Sequence, residues 1–381
     1  MVPHLRDIRK IQMTRVRTGL ERLTGHPRPV GRDRVGLVTN PTGVLPDLTP
    51  SAPALFAAGV RVTALFGPEH GLRGAAQAGE GDTAAADPVT GLPVFDTYGR
   101  SGGDLDALVA SAGVDALVFD MADAGARFYT YVWTMYDLME SAARLGLRFV
   151  VLDRPDPIGG ALAEGPPLDP AFASFVGRAP VAVRHGLTPG EIALLANRTI
   201  KARLDVVPLS GWRRERYFDE TGLPWVMPSA NMPTLDTAIA YPGTGLFEGT
   251  NAAEGRGTTR PFELAGAPYA DGRLAPALAD LGLPGVRFRE TWFTPTFGRH
   301  AGAVVRGVQL HVTDRLAFRP VLTGVSMLHT LRALYPGAFA CDPFLDLLWG
   351  SDALRRALDA GRDPRGLVPD GGPEGAELLY S

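Results

Sequence analysis

Residues 115–131 read DALVFDMADAGARFYTY, and this stretch decides the fold. Ala116 to Phe119 form a short, unbroken apolar run, the pattern of a parallel strand buried on both faces. The residues that follow supply Asp120, Asp123, Gly125, Arg127, Tyr129 and Tyr131. In an open α/β sheet, ligands bind just beyond the carboxyl ends of the strands, so chemistry is expected where this run stops. A blander reading makes Asp120 a helix cap and Arg127 its ion-pair partner.

The same unit recurs on either side. Strands are expected at 34–39, 62–66, 93–95, 116–119, 148–152 and 205–208, and helices at 50–58, 104–112, 132–145 and 189–199. In the clearest helix Val132, Met135, Tyr136, Met139 and Ala143 share one face, and Gly146 supplies the stop. Strands alternating with helices predict a mostly parallel sheet with both faces covered. Each strand end then offers polar groups: Asn40, then Glu69 and His70, then Asp120 and Asp123, then Asp153 and Arg154.

From Ser210 to about Pro268 periodicity gives way to Pro, Gly, Asn and Thr, yet Trp212, Trp225, Phe247, Phe262 and Tyr269 argue for order. This region is expected to bridge two domains and wall a cleft. A strand at 304–313 and helices at 321–334 and 351–360 then predict a smaller α+β domain. A chain of 381 residues exceeds one ordinary core. The expected division is 1–210 and 211–381, with the catalytic carboxylates in the first part.

A net charge of −3 gives no general attraction to nucleic acid or anionic membranes, so any anion must be held by local arginines. Lys10 and Lys201 are the only lysines, leaving little room for Schiff-base chemistry. Cys341 is the only cysteine, which excludes an internal disulfide. Arg6, Arg9, Arg15, Arg17 and Arg22 interrupt the first thirty residues, and a cytoplasmic protein is expected. No Walker A motif, dinucleotide fingerprint, Gly-x-Ser-x-Gly elbow or HExxH occurs, and the scattered histidines predict no metal site.

Gly67-Pro68-Glu69-His70-Gly71 directly follows a strand, and its glycines permit a sharp bend that turns both side chains to one space. Partial burial there suits Glu69 to general-acid work; the alternative is a turn in which Glu69 pairs with Arg73. Glu69 and Asp123 form a possible carboxylate pair for glycoside hydrolysis. A separation of about 5–5.5 Å would favour retention and about 6.5–9.5 Å inversion, and a substrate acetamido group could also be the nucleophile. Residues 253–260, AEGRGTTR, suit a polyol or a carboxylate, which an arginine fork grips at two points. His185 precedes the capping box of Thr188 and Glu191 and serves either the loop or the site.

Taken in order, the motifs LVTNPTGV, FGPEHGLRG, FDMADAGARFYTY, VLDRPDPIGG, EGPPLD, VRHGLTPGE, PSANMPTLDTA, YPGTGLFEGTN, AEGRGTTRPFE and GVQLHVTDR resemble the exo-β-N-acetylmuramidases related to NamZ, from about Arg34 to Gly361. The resemblance implies a Rossmann-like N-terminal domain, a smaller C-terminal domain and an active site between them. It further implies cofactor-free hydrolysis of terminal N-acetylmuramic acid from the non-reducing end of peptidoglycan fragments. By motif, Glu69 would be the acid/base and Asp123 the base, nucleophile or acetamido-orienting group. Arg127, Arg256 and Arg73 become candidates for the lactyl carboxylate of muramic acid. Asn40, His70, Tyr129, Tyr131, His185, Asn231 and Glu254 would complete the lining. The sequence departs from the family pattern at Ala122 (usually Gln), Ala230 (usually Pro) and Ala253 (usually Ser). Two other readings share these residues: a non-catalytic muropeptide or amino-sugar binding protein, and a hydrolase of another 2-acetamido sugar.

Overall fold

Leu117 and Phe119 bury themselves in one hydrophobic cluster and Val118 in another, so the run at 116–119 is a strand with a core on each side. The computed structural model describes residues 15–27, 29–77, 79–81, 83–373 and 375–381; Arg6, Arg9 and Lys10 lie outside the described residues. The first lobe runs α1 (Gly19–Gly25), β1 (Val35–Thr39), α2 (Ser51–Ala57), β2 (Val62–Gly67), β3 (Val94–Asp96), α3 (Gly102–Ser111) and β4 (Ala116–Asp120). It continues with α4 (Tyr131–Leu145), β5 (Arg148–Leu152), β6 (Ala163–Glu164), α5 (Pro189–Ile200) and β7 (Arg203–Val207). Every expected strand and helix of this half is present, with ends displaced by at most two residues.

Among the described residues six strands pair in the order β3-β2-β1-β4-β5-β7, all parallel. This is the doubly wound arrangement, whose strand order reverses beside β1 and opens a crevice there. Leu20, Leu23 and Leu55 from α1 and α2 pack on one face with Leu37 and Val118. Leu105, Leu138 and Ile192 from α3, α4 and α5 pack on the other with Phe119.

The second lobe consists of α6 (Leu235–Thr244), β8 (Leu264–Ala267), α7 (Leu274–Asp280), β9 (Val286–Phe293), β10 (Val305–Val312), α8 (Pro320–Leu334), α9 (Phe344–Trp349) and α10 (Ala353–Asp359). Its antiparallel sheet has the order β8-β10-β9. The aperiodic stretch from Ser210 is therefore more regular than its composition suggests. Thr234 caps α6 by accepting the Thr237 amide, and Pro242 falls where α6 gives way to a 3₁₀ turn at Gly245–Gly249, so its missing N–H interrupts little.

The core around Phe119 continues into the second lobe through Phe247, Val308, Val321, Leu328 and Trp349, so the lobes share one apolar interior. The chain then returns to the first lobe. A short strand β11 (Asp370–Gly371) pairs with β6, the Leu379 amide donates to Glu191 at 2.9 Å and the Tyr380 hydroxyl to Asp153 at 2.5 Å. Among the described residues no helix is long and apolar enough to cross a membrane.

Candidate active site

The Gly-Pro-Glu-His-Gly turn does at β2 what its spacing predicts. His70 and Gly71 both adopt left-handed backbone, φ of +70° and +76°, which doubles the chain back after the strand. Glu69 is left at the rim with only 9% of its surface exposed. Its Oε1 accepts the Gly79 amide at 2.8 Å and its Oε2 the Thr130 hydroxyl at 2.7 Å. Thr130 is the N-cap residue of α4, yet its side chain makes no capping bond. Because a hydroxyl can rotate from donor to acceptor, Thr130 satisfies Glu69 in both protonation states, as an acid/base residue requires.

Glu69 borders a cleft of about 200 Å³ at the seam of the lobes. The first lobe contributes His70 and Tyr129, and the second contributes Asn231, Tyr241, Glu248 and Arg256. The Arg256 guanidinium lies 2.7 Å from Glu248, 3.7 Å from Glu254 and 5.0 Å from the centre of the Phe262 ring. Burial opposes the charge on Arg256, but the two glutamates outweigh it and hold the cation more firmly than usual. Burial raises the Glu254 carboxyl above the ordinary range, with the neighbouring Arg256 pulling the other way. Burial also keeps the Tyr129 and Tyr241 phenols protonated well beyond their usual range, and the charges of Glu248, Glu69 and Asp123 reinforce this at Tyr241. The Tyr131 hydroxyl donates to the Pro228 carbonyl at 2.6 Å, fixing the loop that carries Ser229 and Asn231.

Several expected residues lie elsewhere. Asp123 is turned inward: its Oδ2 accepts the Gly125 amide at 2.6 Å and lies 3.0 Å from His185 Nε2, with both side chains fully buried. The Leu187 amide donates to His185 Nδ1 at 3.0 Å, which puts the neutral ring's proton on Nε2, pointing at Asp123. Burial disfavours the charged imidazole, but the bond to Asp123 and the charges of Asp123 and Asp156 raise His185 above its ordinary value. Asp156 is itself pushed up to about 7, chiefly by burial. Asp123 and His185 thus brace one another beneath the site and do not border the cleft beside Glu69.

Arg127 belongs to the fold. Its guanidinium is fully buried and donates to the carbonyls of Pro166, Val181 and Leu348 at 2.9, 2.7 and 3.0 Å, clamping the lobes together. Burial pulls it down to about 9, so it remains cationic at neutral pH. Arg73 pairs with Asp87, and Asn40 accepts from the Thr42 amide and hydroxyl at 3.0 and 2.6 Å; both border a separate cavity beyond β1. Of the three arginines considered for a carboxylate, only Arg256 borders the Glu69 cleft. The bland reading of Asp120 also changes. Asp120 holds Arg154 through two bonds of 2.6 and 2.9 Å and accepts from Ser51, tying the ends of β4 and β5 to the start of α2.

Sequence reasoning missed Glu248 and Thr130 as site residues. Thr130 lay inside the stretch that decided the fold. Glu248 lay inside the quoted YPGTGLFEGTN motif, and its spacing from Arg256 was the available signal.

The doubly wound lobe, the second lobe against it and the carboxylates at their seam define a two-lobed α/β protein with a hydrolase-like cleft. Family models place the chain more narrowly. The model described as exo-β-N-acetylmuramidase NamZ, N-terminal, matches residues 35–236, and its C-terminal counterpart matches 239–371. The chain belongs to the NamZ family of exo-β-N-acetylmuramidases. It is 45% identical over 361 residues to the peptidoglycan β-N-acetylmuramidase NamZ of Bacillus subtilis strain 168, covering 93% of this chain and 87% of the relative. Two crystal structures of DUF1343 family proteins from Bacteroides fragilis NCTC 9343 share the fold. One has a TM-score of 0.85 and 34% identity, covering 93% of this chain and 94% of its own. The other has a TM-score of 0.72 and 27% identity, covering 91% of each.

Proposed function

We propose that this protein is an exo-acting glycoside hydrolase that releases terminal N-acetylmuramic acid from the non-reducing end of peptidoglycan fragments, in cell-wall turnover. The observation that carries this reading is the Glu69 carboxylate, held by Gly79 and Thr130 and bordering the same cleft as Glu248 and Arg256. In this reading the lobe of residues 1–210 supplies the acid, and the lobe of residues 211–381 supplies the charges that bind and stabilise the sugar.

Protonated Glu69 gives its proton to the glycosidic oxygen as the bond from C1 to that oxygen breaks. The leaving sugar departs with a free hydroxyl. Positive charge develops at C1 and the ring oxygen, and the Glu248 carboxylate stabilises it in a half-dry cleft where electrostatic effects are strong. Water supplies the new hydroxyl at C1, and its proton restores Glu69. Glu248 takes the part that sequence reasoning gave to Asp123. Arg256 is the cation for the lactyl carboxylate, since of the three arginines it is the one that borders the Glu69 cleft. The reading keeps the enzyme in the cytoplasm, acting on imported fragments; muramidase activity confined to the culture fluid or the wall fraction would overturn that placement.

The test is turnover of 4-nitrophenyl β-N-acetylmuramide beside the matching β-N-acetylglucosaminide. The native protein should release nitrophenol from the muramide only, and Glu69→Gln, while still binding muramic acid, should cleave the disaccharide of N-acetylmuramic acid β-1,4-linked to N-acetylglucosamine about 10²–10⁴-fold more slowly, because that leaving sugar needs the proton. No release from either sugar by a folded protein that binds muramic acid would replace the hydrolase with a binding protein.

A further inference from the structure

A second chamber adjoins Glu69 on the side away from Glu248. It encloses about 240 Å³ and shares Glu69, Tyr98, Thr130 and Phe175 with the first cleft, of about 200 Å³. Among the described residues Glu69 is the one carboxylate that borders both. Together they fall in the range of ligand sites for small molecules, divided at the proton donor into two compartments of similar size.

The compartments differ in charge. The first holds Glu248 and Arg256 beside Glu69, with Glu254 behind them, so acid outweighs base. That suits the sugar whose anomeric centre becomes cationic. The second balances Glu69 and Asp137 with Arg100 and Arg178, which suits a sugar that leaves uncharged. Arg178 donates to Asp137 at 2.9 Å, and its buried Nε has no hydrogen-bond acceptor among the described residues. Ser101 stands at the N-cap position of α3, but its hydroxyl makes no capping bond. At the boundary Phe175 is half exposed and stacks on Phe344 of the second lobe, with ring centres 6.3 Å apart and planes 18° apart. It offers a flat apolar face to a sugar ring spanning the two compartments.

We propose that the chamber formed by Arg100, Ser101, Asp137 and Arg178 is the binding site for the leaving sugar, a neutral 2-acetamido sugar joined through its 4-oxygen to the residue being removed. This rests on the glycosidase reading above and sets the direction of the substrate across Glu69. The terminal residue lies toward Glu248 and Arg256, and the rest of the fragment lies toward Arg178. The proton given up by Glu69 then reaches an oxygen at the mouth of this chamber.

The experiment compares two substrates with the same terminal residue: the disaccharide of N-acetylmuramic acid β-1,4-linked to N-acetylglucosamine, and 4-nitrophenyl β-N-acetylmuramide. The aryl group is a better leaving group and uses none of the sugar's hydroxyl contacts. Arg178→Ala removes one charged partner, Arg100→Ala removes the other guanidinium of the chamber, and Asn231→Ala alters the opposite compartment. Both chamber variants should lower kcat/KM for the disaccharide about tenfold or more beyond their effect on the aryl muramide, the scale of one charged hydrogen bond. Asn231→Ala should lower both substrates by the same factor. Chamber variants that depress both substrates equally, or spare both, would overturn the assignment, as would Asn231→Ala acting on the disaccharide alone. A native enzyme that cleaves neither muramide would instead remove the glycosidase reading itself.

Discussion

Replacing Arg127 by methionine separates two roles for this residue. As a ligand for the lactyl carboxylate, Arg127 would affect KM and leave stability alone. The structure assigns it three carbonyl partners, one of them Leu348 in the second lobe. Hydrogen bonds to a charged group contribute roughly 1.5–3 kcal/mol each, offset by several kcal/mol for keeping a guanidinium out of water. Methionine regains the desolvation but leaves the three carbonyls without donors, so a net loss of about 3 kcal/mol is expected. At roughly 2.1 cal/mol/K per residue, a chain of this length unfolding as one unit then melts about 4 °C lower. Thermal melts by circular dichroism and urea titration measure the loss, and aryl muramide kinetics at 20 °C measure KM. An unchanged Tm together with a KM raised tenfold for the muramide would refute the clamp and return Arg127 to the substrate.

Further outcomes follow from the same geometry. Gly350 has φ of +80°, and a Cβ there would lie 2.6 Å from Arg127 Nη2; Gly350→Ala should cost about 2 kcal/mol in urea titrations. Asp156 is raised by burial to about 7. Its penalty is therefore absent below about pH 4, where folded and unfolded forms are both protonated, and is complete above pH 7. Asp156→Asn should gain about 2–4 kcal/mol relative to the native protein between pH 4 and pH 8, and a difference that is flat with pH would contradict the burial argument. Glu248→Gln should reduce kcat on the aryl muramide about a hundredfold, whereas Asp123→Asn should act mainly on stability through His185. The reverse ranking, with Asp123→Asn the more damaging to kcat in a protein of native Tm, would restore the pairing of Glu69 with Asp123.

The first lobe was legible because its strands are apolar runs bounded by turn residues, and β4 shows the pattern plainly in Ala116 to Phe119. The second lobe was less so. α7 and α9 have seven and six residues, under two full turns, and leave little periodicity to detect. α6 carries Pro242 near its end, a residue that argues against a helix in the sequence. The turn that places Glu69 at the rim was legible because its flanking glycines announce a bend at a strand end. Asp123 and Glu248 were not separable by sequence, since the direction of each side chain depends on packing with His185 and Arg256 that no local pattern records. Arg127 shows the same limit: a buried arginine serving carbonyls and an arginine awaiting a carboxylate have the same spelling.

The return of the chain to β6 and Asp153 has a mechanical meaning. The chain leaves the first lobe near Tyr217, whose hydroxyl donates to the Arg315 carbonyl of the second lobe at 2.9 Å, and comes home through β11 and Tyr380. The second lobe is pinned at both ends, like a bridge rather than a flap. A body held at two points can roll about the line joining them but cannot swing away from its base. The cleft beside Glu69 is therefore walled on one side by a lobe tied down at both ends of its chain.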